Sequence, residues 1–311
     1  MKIATVTLNP AIDQTVKVVN FQPNAVNRSH DMQFDAGGKG VNVASFLADY
    51  GCKVAVTGFL GADNPRIFES LFLKKGIADH FIRIPGRTRT NIKIVDEQSQ
   101  ETTDINMAGE APSAQALEAL LHVIENLAGT SDWFVLAGNL PPRTPNDIYA
   151  QIIAKLRQHN KCVALDTSRE ALAEGLRAIP TIAKPNIEEL QQVVGHALET
   201  EQDVREAATQ LLETGIRLVV VSMGARGALF VSKEEAFRAV PPSVTVMSTV
   251  GAGDAMVAGL IAGQSQNYSL QDCARLATAF SLGAVTRVGA HLPDSATLNA
   301  YFRQVSIQNL D

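Results

Sequence analysis

Short apolar runs alternate with helical patterns along this chain of 311 residues, and the alternation strongly constrains its fold. In one pattern Leu117, Leu120 and Leu121 recur at the spacing of a single helix face. Continuous apolar strands between amphipathic helices are typical of parallel sheets with helices on both faces. We therefore predict a doubly wound, mainly parallel α/β sheet. The predicted strands are residues 3–8, 54–59, 133–137, 162–166, 218–222 and 227–231.

Two segments interrupt the alternation, because neither is followed by a crossover helix. Residues 14–36 are predicted to form two strands with a turn near Pro23, and residues 88–109 a polar hairpin with its turn at 96–100. Together they predict a small antiparallel β-sheet lid on a core of residues 1–13, 37–87 and 110–311; the alternative is two surface insertions without a role. A small sheet with one apolar face needs a cover. A substrate, the core or a second subunit would supply it, and we expect a homodimer through the lid.

Composition excludes several classes of function. The net charge is −5 without a block of basic residues, which argues against nucleic acid or an anionic membrane as a partner. The longest uncharged apolar stretch, residues 255–263, is far shorter than the roughly 20 residues of a membrane span. The first residues enter a strand pattern without a signal peptide. Cys52, Cys162 and Cys273 are far apart and odd in number, so we expect reduced thiols and a cytoplasmic protein.

Glycines precede an apolar stretch near the C-terminal third of the chain, in the segment STVGAGDAM at residues 248–256. Gly251 and Gly253 permit a tight turn and the close approach of a ligand. The free N–H groups of residues 251–254, including Ala252, would form an anion hole at the start of a helix. Asp254 would act as a general base on a hydroxyl bound there. The alternative is an ordinary helix start in which Asp254 compensates the helix dipole.

A second glycine-rich turn, DAGGKGVN at residues 35–42, joins a strand to a helix. The backbone of Gly37 and Gly38 would approach a substrate closely, while Lys39 and Asn42 offer a positive charge and hydrogen bonds. The segment lacks the glycine and the Ser or Thr of a phosphate-binding Walker A loop. The alternative is a turn with a solvated lysine.

Two further segments carry candidate metal ligands. In KPNIEEL a helix is predicted to begin near Asn186, with Glu189 one turn later. These residues would hold a hydrated Mg²⁺ beside phosphates, or they would simply cap the helix. Asp166 ends a predicted buried strand, where carboxylates in α/β sheets commonly bind ligands.

Arginines mark the entrance to the polar hairpin. Arg87 and Arg89 would lie on one face if their segment is a strand, and Arg28 from the other lid segment would join them. Two guanidinium groups on one face of an acidic protein indicate a clamp for phosphate or carboxylate. The alternative is an edge strand whose charges prevent pairing with another sheet.

The order of these motifs resembles the PfkB (ribokinase-like) carbohydrate kinases, and especially the branch that acts on phosphosugars. The resemblance rests on TLNPAID, GGKGVN, RTRTN, AGNLPP, KPNIEEL, VSMGARGA and STVGAGDAM and extends over essentially the whole chain. It implies ATP and Mg²⁺ as cofactors and a phosphorylated ketohexose as the acceptor. Fructose 1-phosphate is expected, with tagatose 6-phosphate and fructose 6-phosphate as alternatives. A non-catalytic sugar-phosphate-binding regulator is disfavoured because Asp254 is present, and an oxidoreductase because no GxGxxG follows the first strand.

The resemblance also implies roles for individual residues. Asp254 corresponds to the catalytic base and residues 251–254 to the anion hole. The sugar positions are Asp13, Gly37, Gly38, Lys39, Asn42 and Asn139. The substrate-phosphate positions are Arg28 and Arg89, with Arg87 as a further candidate. The nucleotide positions are Lys184, Asn186, Ser222, Gly224, Gly227 and Thr249, and Asn186 with Glu189 is the metal-associated pair. Two departures from the family pattern are Asn139, where some relatives have Ser, and Arg287, where relatives often have a small or amide residue.

Overall fold

A twisted sheet of eleven strands forms the centre of the computed structural model, which describes residues 2–99, 101–287 and 289–310. Its strand order is β15-β14-β13-β12-β11-β10-β9-β1-β4-β5, with β6 also pairing with β4. The strands are β1 (Lys2–Thr7), β2 (Ala11–Val18), β3 (Asp31–Gly37), β4 (Lys53–Gly61), β5 (Ala78–Asp79), β6 (Ile82–Ile84), β7 (Thr90–Asp96), β8 (Thr102–Ile105), β9 (Trp133–Ala137), β10 (Cys162–Asp166), β11 (Ile182–Ala183), β12 (Leu218–Ser222), β13 (Ala228–Ser232), β14 (Ala236–Val240) and β15 (Ser306–Asn309).

Helices cover both faces of this sheet. Along β1, Ile3 packs into one apolar cluster while Ala4 and Val6 pack into the other, because successive side chains of a strand point to opposite faces. One cluster lies under α1, α2 and α8–α10, and the other under α3–α7. The helices are α1 (Lys39–Asp49), α2 (Arg66–Lys75), α3 (Ala114–Ala128), α4 (Ile148–Gln158), α5 (Arg169–Arg177), α6 (Ile187–Val194), α7 (Glu201–Glu213), α8 (Ala252–Ser265), α9 (Leu270–Val285) and α10 (Ser295–Gln304).

The large sheet is parallel from β5 to β12 and antiparallel from β12 to β15. The prediction of a doubly wound, mainly parallel sheet is therefore confirmed. The predicted strands at 133–137, 162–166 and 218–222 have the observed bounds, and the other three differ by one or two residues at an end. The two-residue strands β5 and β11 and the antiparallel strands β14 and β15 were not predicted from the sequence.

The two segments without crossover helices form one separate four-stranded sheet, of order β3-β2-β7-β8, which we call the lid. The pairs β2–β3 and β7–β8 are antiparallel, as predicted, but the central pair β2–β7 is parallel, with Ile12 opposite Thr90. Both β2 and β7 are the first strand of their hairpin, and the observed register has them running in the same direction. The lid sheet also begins at Ala11, earlier than residue 14. In the predicted turn at 96–100, Gln100 lies outside the described residues.

Within the described ranges no helix has both the length and the apolar composition needed to cross a bilayer. Cys52, Cys162 and Cys273 are free thiols.

Candidate active site

The GAGD segment forms the start of α8, as the sequence predicts. Gly251 is the residue before the helix and has a φ of 81°, in the left-handed region that favours glycine. Residues 254–263 of α8 are buried, so the helix enters the core with its N-terminus at the end of the sheet. The first N–H groups of a helix lack partners within it and lie at the positive end of the dipole. This end of α8 is therefore suited to an anion.

Asp254 is a buried carboxylate in the first turn of α8, with 6% of its surface exposed. The side-chain amide of Asn42, from α1, donates a hydrogen bond of 2.8 Å to Asp254 Oδ2. Burial, and then the negative charge of Asp166, raise the pKa of Asp254 to about 6, although Lys39 and Asn42 oppose the shift. A carboxylate with this pKa is ionised at neutral pH and accepts a proton more readily than an ordinary aspartate.

Two lysines meet at the carboxylate of Asp166, which ends β10 and is 1% exposed. Its Oδ1 lies 2.9 Å from Lys39 Nζ and 3.5 Å from Lys184 Nζ. Burial opposes the negative charge, but the ammonium groups of Lys184 and Lys39 outweigh it and lower the pKa of Asp166. A Cβ atom added at Gly253 would lie 3.6 Å from Lys184 Nζ, which places that ammonium group at the start of α8. Lys39 and Lys184, which both contact Asp166, thus bring two positive charges to the anion-binding end of α8.

Asp13 lies where the lid joins the core. Asn91 Nδ2 donates a 3.1 Å hydrogen bond to Asp13 Oδ1, and burial raises the pKa of Asp13 against the effect of this bond. A Cβ atom at Gly37 would lie only 2.1 Å from Asp13 Oδ2, so only glycine leaves room for the carboxylate. Gly38, with a φ of 112°, then begins α1, which carries Lys39. The predicted sugar positions therefore lie along one strand-to-helix junction beside the lid.

A cleft of about 480 Å³ adjoins the start of α8. Its walls include the predicted nucleotide positions Ser222, Gly224, Gly227 and Thr249, together with Ala252 and Gly253. Sequence reasoning missed the rest of the wall, although Thr278, Ser281, Leu282 and Val285 follow the helical spacing i, i+3, i+4 and i+7 on α9. The missed residues include Pro241, Pro242, Val244, Val246, Thr278, Ser281, Leu282 and Val285.

Asn186 and Glu189 form the capping box of α6. The N–H of Glu189 donates to Asn186 Oδ1 over 2.7 Å, and the N–H of Asn186 donates to Glu189 Oε2 over 2.9 Å. Asn186 also forms a parallel bridge with Ser222 of the cleft. The capping interpretation is confirmed, and a role in metal binding stays a prediction.

The predicted arginine clamp is not formed as one strand face, because β7 begins at Thr90, after Arg87 and Arg89. Arg87 is exposed, and Arg89 donates to the carbonyl oxygens of Asn9 and Met107, each over 2.9 Å. It also donates to Pro10 O over 3.2 Å and to Asn91 Oδ1 over 3.4 Å. Arg89 therefore joins the backbone of the lid to that of the core. Arg28 of the β2–β3 loop, Asn139 and Arg287 are also exposed.

Comparisons with known proteins identify the family of this chain. The family model described as pfkB family carbohydrate kinase matches residues 6–297. The 1-phosphofructokinase of Rhodobacter capsulatus is 49% identical over 311 residues, 100% of this chain and 98% of that protein. That of Vibrio cholerae is 44% identical over 309 residues, 99% of this chain and 97% of that protein. The Escherichia coli phosphofructokinase-2 in complex with fructose-6-phosphate has a TM-score of 0.90 at 28% identity, covering 97% of this chain and 98% of that one. The chain therefore belongs to the pfkB family of carbohydrate kinases.

Proposed function

We propose that this protein transfers the γ-phosphoryl group of ATP to the 6-hydroxyl of fructose 1-phosphate, producing fructose 1,6-bisphosphate and ADP. The observation that carries the proposal is the buried Asp254, whose pKa is raised to about 6, at the start of α8 beside the large cleft. The acceptor is taken from the name of the full-length relatives, which are 1-phosphofructokinases.

Asp254 accepts the proton of the attacking hydroxyl as the new P–O bond forms and the bond to ADP breaks. The N–H groups of residues 251–254 receive the negative charge of the transferred group. Lys184, held at this helix start by Asp166, offsets further phosphate charge. The lid, attached through Arg89, excludes the water that would otherwise hydrolyse ATP.

The residues present fit a hydrated Mg²⁺ held mainly by phosphates. Asp166 Oδ2 is buried and has no hydrogen-bond partner within the described part of the chain. In the capping box only Oε2 of the Glu189 carboxylate accepts from Asn186, so Oε1 can accept from a metal-bound water. Mg²⁺ usually takes few direct protein ligands in sites of this kind. When bound, Mg²⁺ supplies neutralisation of phosphate charge.

The lid supports a homodimer. Met32 and Phe34 on β3 expose 53% and 47% of their surface, and Ile105 on β8 exposes 46%. The register places Phe34 opposite Gln14 and Ile92 opposite Ile105, on the sheet face away from Asp13 and Asn91. The polar face adjoins the site, so a second copy is the cover we propose for the apolar face.

An ADP-release assay with Mg²⁺ and ATP tests the function. Fructose 1-phosphate is expected to stimulate ADP release more strongly than fructose 6-phosphate, tagatose 6-phosphate or free sugars, each tested separately as the acceptor. Fructose 6-phosphate is the second candidate, because a solved structure similar to this chain is described in complex with it. Absence of stimulation by every sugar phosphate would show that the protein is not this kinase.

A further inference from the structure

Two buried hydroxyl groups converge on a single backbone carbonyl at the end of β9. Tyr149 Oη donates to Gly138 O over 2.9 Å, and Thr167 Oγ1 donates to the same oxygen over 2.8 Å. Tyr149 belongs to α4 and Thr167 follows β10, so the two donors come from separate elements. The two residues expose 0% and 1% of their surface. A carbonyl oxygen has two lone pairs, and two donors therefore saturate it and fix the plane of its peptide.

The backbone around this peptide is held at further points. The N–H of Gly138 donates to Asp166 O over 2.9 Å, and Asn9 Nδ2 donates to Leu140 O over 3.3 Å. Gly138 has a φ of 99°, which directs the chain sharply out of the sheet. Asn139, between these anchored residues, is exposed, and its side chain has no hydrogen bond among the described residues. A free amide on a fixed backbone is an arrangement suited to an external ligand.

The anchored loop lies beside the proposed sugar site. A Cβ atom at Gly138 would lie 3.7 Å from Lys39 Cβ. Thr167 directly follows Asp166, which holds the ammonium group of Lys39 at 2.9 Å. Burial raises the pKa of Tyr149, so its hydroxyl keeps its proton and stays a donor. A phenylalanine would fill the same apolar volume, and the hydroxyl therefore contributes orientation rather than packing.

We propose that Tyr149 and Thr167 are positioning residues for the acceptor: by fixing the Gly138–Asn139 peptide they direct the Asn139 amide to the sugar phosphate. The inference rests on the proposed kinase activity. It concerns binding of the acceptor and not of ATP, because the nucleotide cleft is lined by Ser222 at the end of β12, the loops that follow β12 and β14, and helices α8 and α9.

Single-group variants test the proposal. Y149F and T167V each remove one donor, and each is expected to raise KM for fructose 1-phosphate about fivefold, the scale of one hydrogen bond. The double variant is expected to raise it more than tenfold, with KM for ATP changed less than twofold. T167S keeps the hydroxyl and is expected to retain the wild-type KM. The matched control is T57V, because Thr57 Oγ1 is equally buried and donates to His80 O over 2.9 Å away from the loop.

Unchanged KM for the acceptor in the double variant, or equal rises for both substrates, would overturn the proposal. A parallel readout does not depend on activity: amide hydrogen exchange in residues 138–140 is expected to accelerate in the double variant and stay unchanged in T57V. Unchanged exchange in the double variant would also overturn the inference. If the wild type releases no ADP with any sugar phosphate, the proposed function is wrong, and the exchange experiment still decides whether the hydroxyl groups fix this loop.

Discussion

Replacing Asp254 by Asn is expected to abolish turnover and, at the same time, to stabilise the folded protein. Asn has nearly the same shape, and its side-chain oxygen still accepts the hydrogen bond from Asn42. It removes the proton acceptor, and loss of general-base catalysis lowers kcat by roughly 10² or more. In the wild type, kcat/KM is expected to fall tenfold per pH unit below about pH 6, where Asp254 becomes protonated.

The gain in stability follows from the raised pKa. The folded state lifts the pKa of Asp254 from 3.8 to about 6, first through burial and then through the charge of Asp166. Between these values the folded state binds more protons than the unfolded state, so the free energy of unfolding falls as pH rises. Above about pH 6 the ionised carboxylate destabilises the fold by about 3 kcal/mol, at 1.36 kcal/mol per pH unit. D254N is therefore expected to be about 1–3 kcal/mol more stable than the wild type at pH 8, and to lose this advantage near pH 4.

The assay combines ADP release with urea unfolding at pH 8 and pH 4. D272N is a matched control, because Asp272 lies in the first turn of α9, is 45% exposed and has an ordinary capping environment. It is expected to keep wild-type kcat and to lose slightly in stability. Near-wild-type turnover in D254N would refute the general-base role. Equal or lower stability of D254N at pH 8 would refute the account of its raised pKa.

Three further substitutions test the surrounding structure. Arg89→Ala removes four hydrogen bonds, two to core carbonyl oxygens and two within the lid segment, and is expected to lower the free energy of unfolding in urea by about 3 kcal/mol. It is also expected to raise KM for the sugar phosphate more than KM for ATP, and unchanged stability would contradict these hydrogen bonds. Asp166→Asn removes the ion-pair partner of the buried Lys184 and is expected to lower the same free energy by about 3–5 kcal/mol. A variant that unfolds like the wild type would contradict the ion pair. Phe34→Asp places a charge on the apolar lid face and is expected to yield monomers in light scattering; a monomeric wild type would exclude the dimer.

Local sequence patterns predicted the parts of the site that depend on neighbouring residues. The start of α8 follows from Gly251 and the apolar run behind it, and the start of α6 from Asn186 and Glu189. At α6 the capping box satisfies the backbone within one turn, and at α8 Gly251 adopts the left-handed φ that the helix start requires, so neither start needs a distant part of the chain. Parallel strands buried on both faces, such as β9 and β10, are equally recognisable, because β9 is apolar throughout and β10 is apolar up to its last residue, Asp166.

Long-range contacts were not predictable in the same way. The parallel pairing of β2 with β7 joins segments about 80 residues apart, and neither strand contains a signal for its partner's direction. Arg89 has the pattern of a phosphate ligand, yet its acceptors are carbonyls that only the folded lid junction brings together. Tyr149 occupies an apolar helix face, so nothing in its sequence context distinguishes a hydrogen-bonding tyrosine from an ordinary core residue.

The charge of Asp166 connects the two halves of the proposed chemistry. The chain carries a net charge of −5, yet its site must hold polyanions, and the buried Asp166 keeps the ammonium groups of Lys39 and Lys184 in place before any phosphate binds. The same negative charge disfavours ionisation of Asp254 and is the second cause of its raised pKa. Phosphates entering beside Asp254 add negative charge and raise its proton affinity further. In the proposed mechanism one buried carboxylate would therefore both organise the cations and strengthen the base, so that binding of the substrates would itself favour removal of the hydroxyl proton.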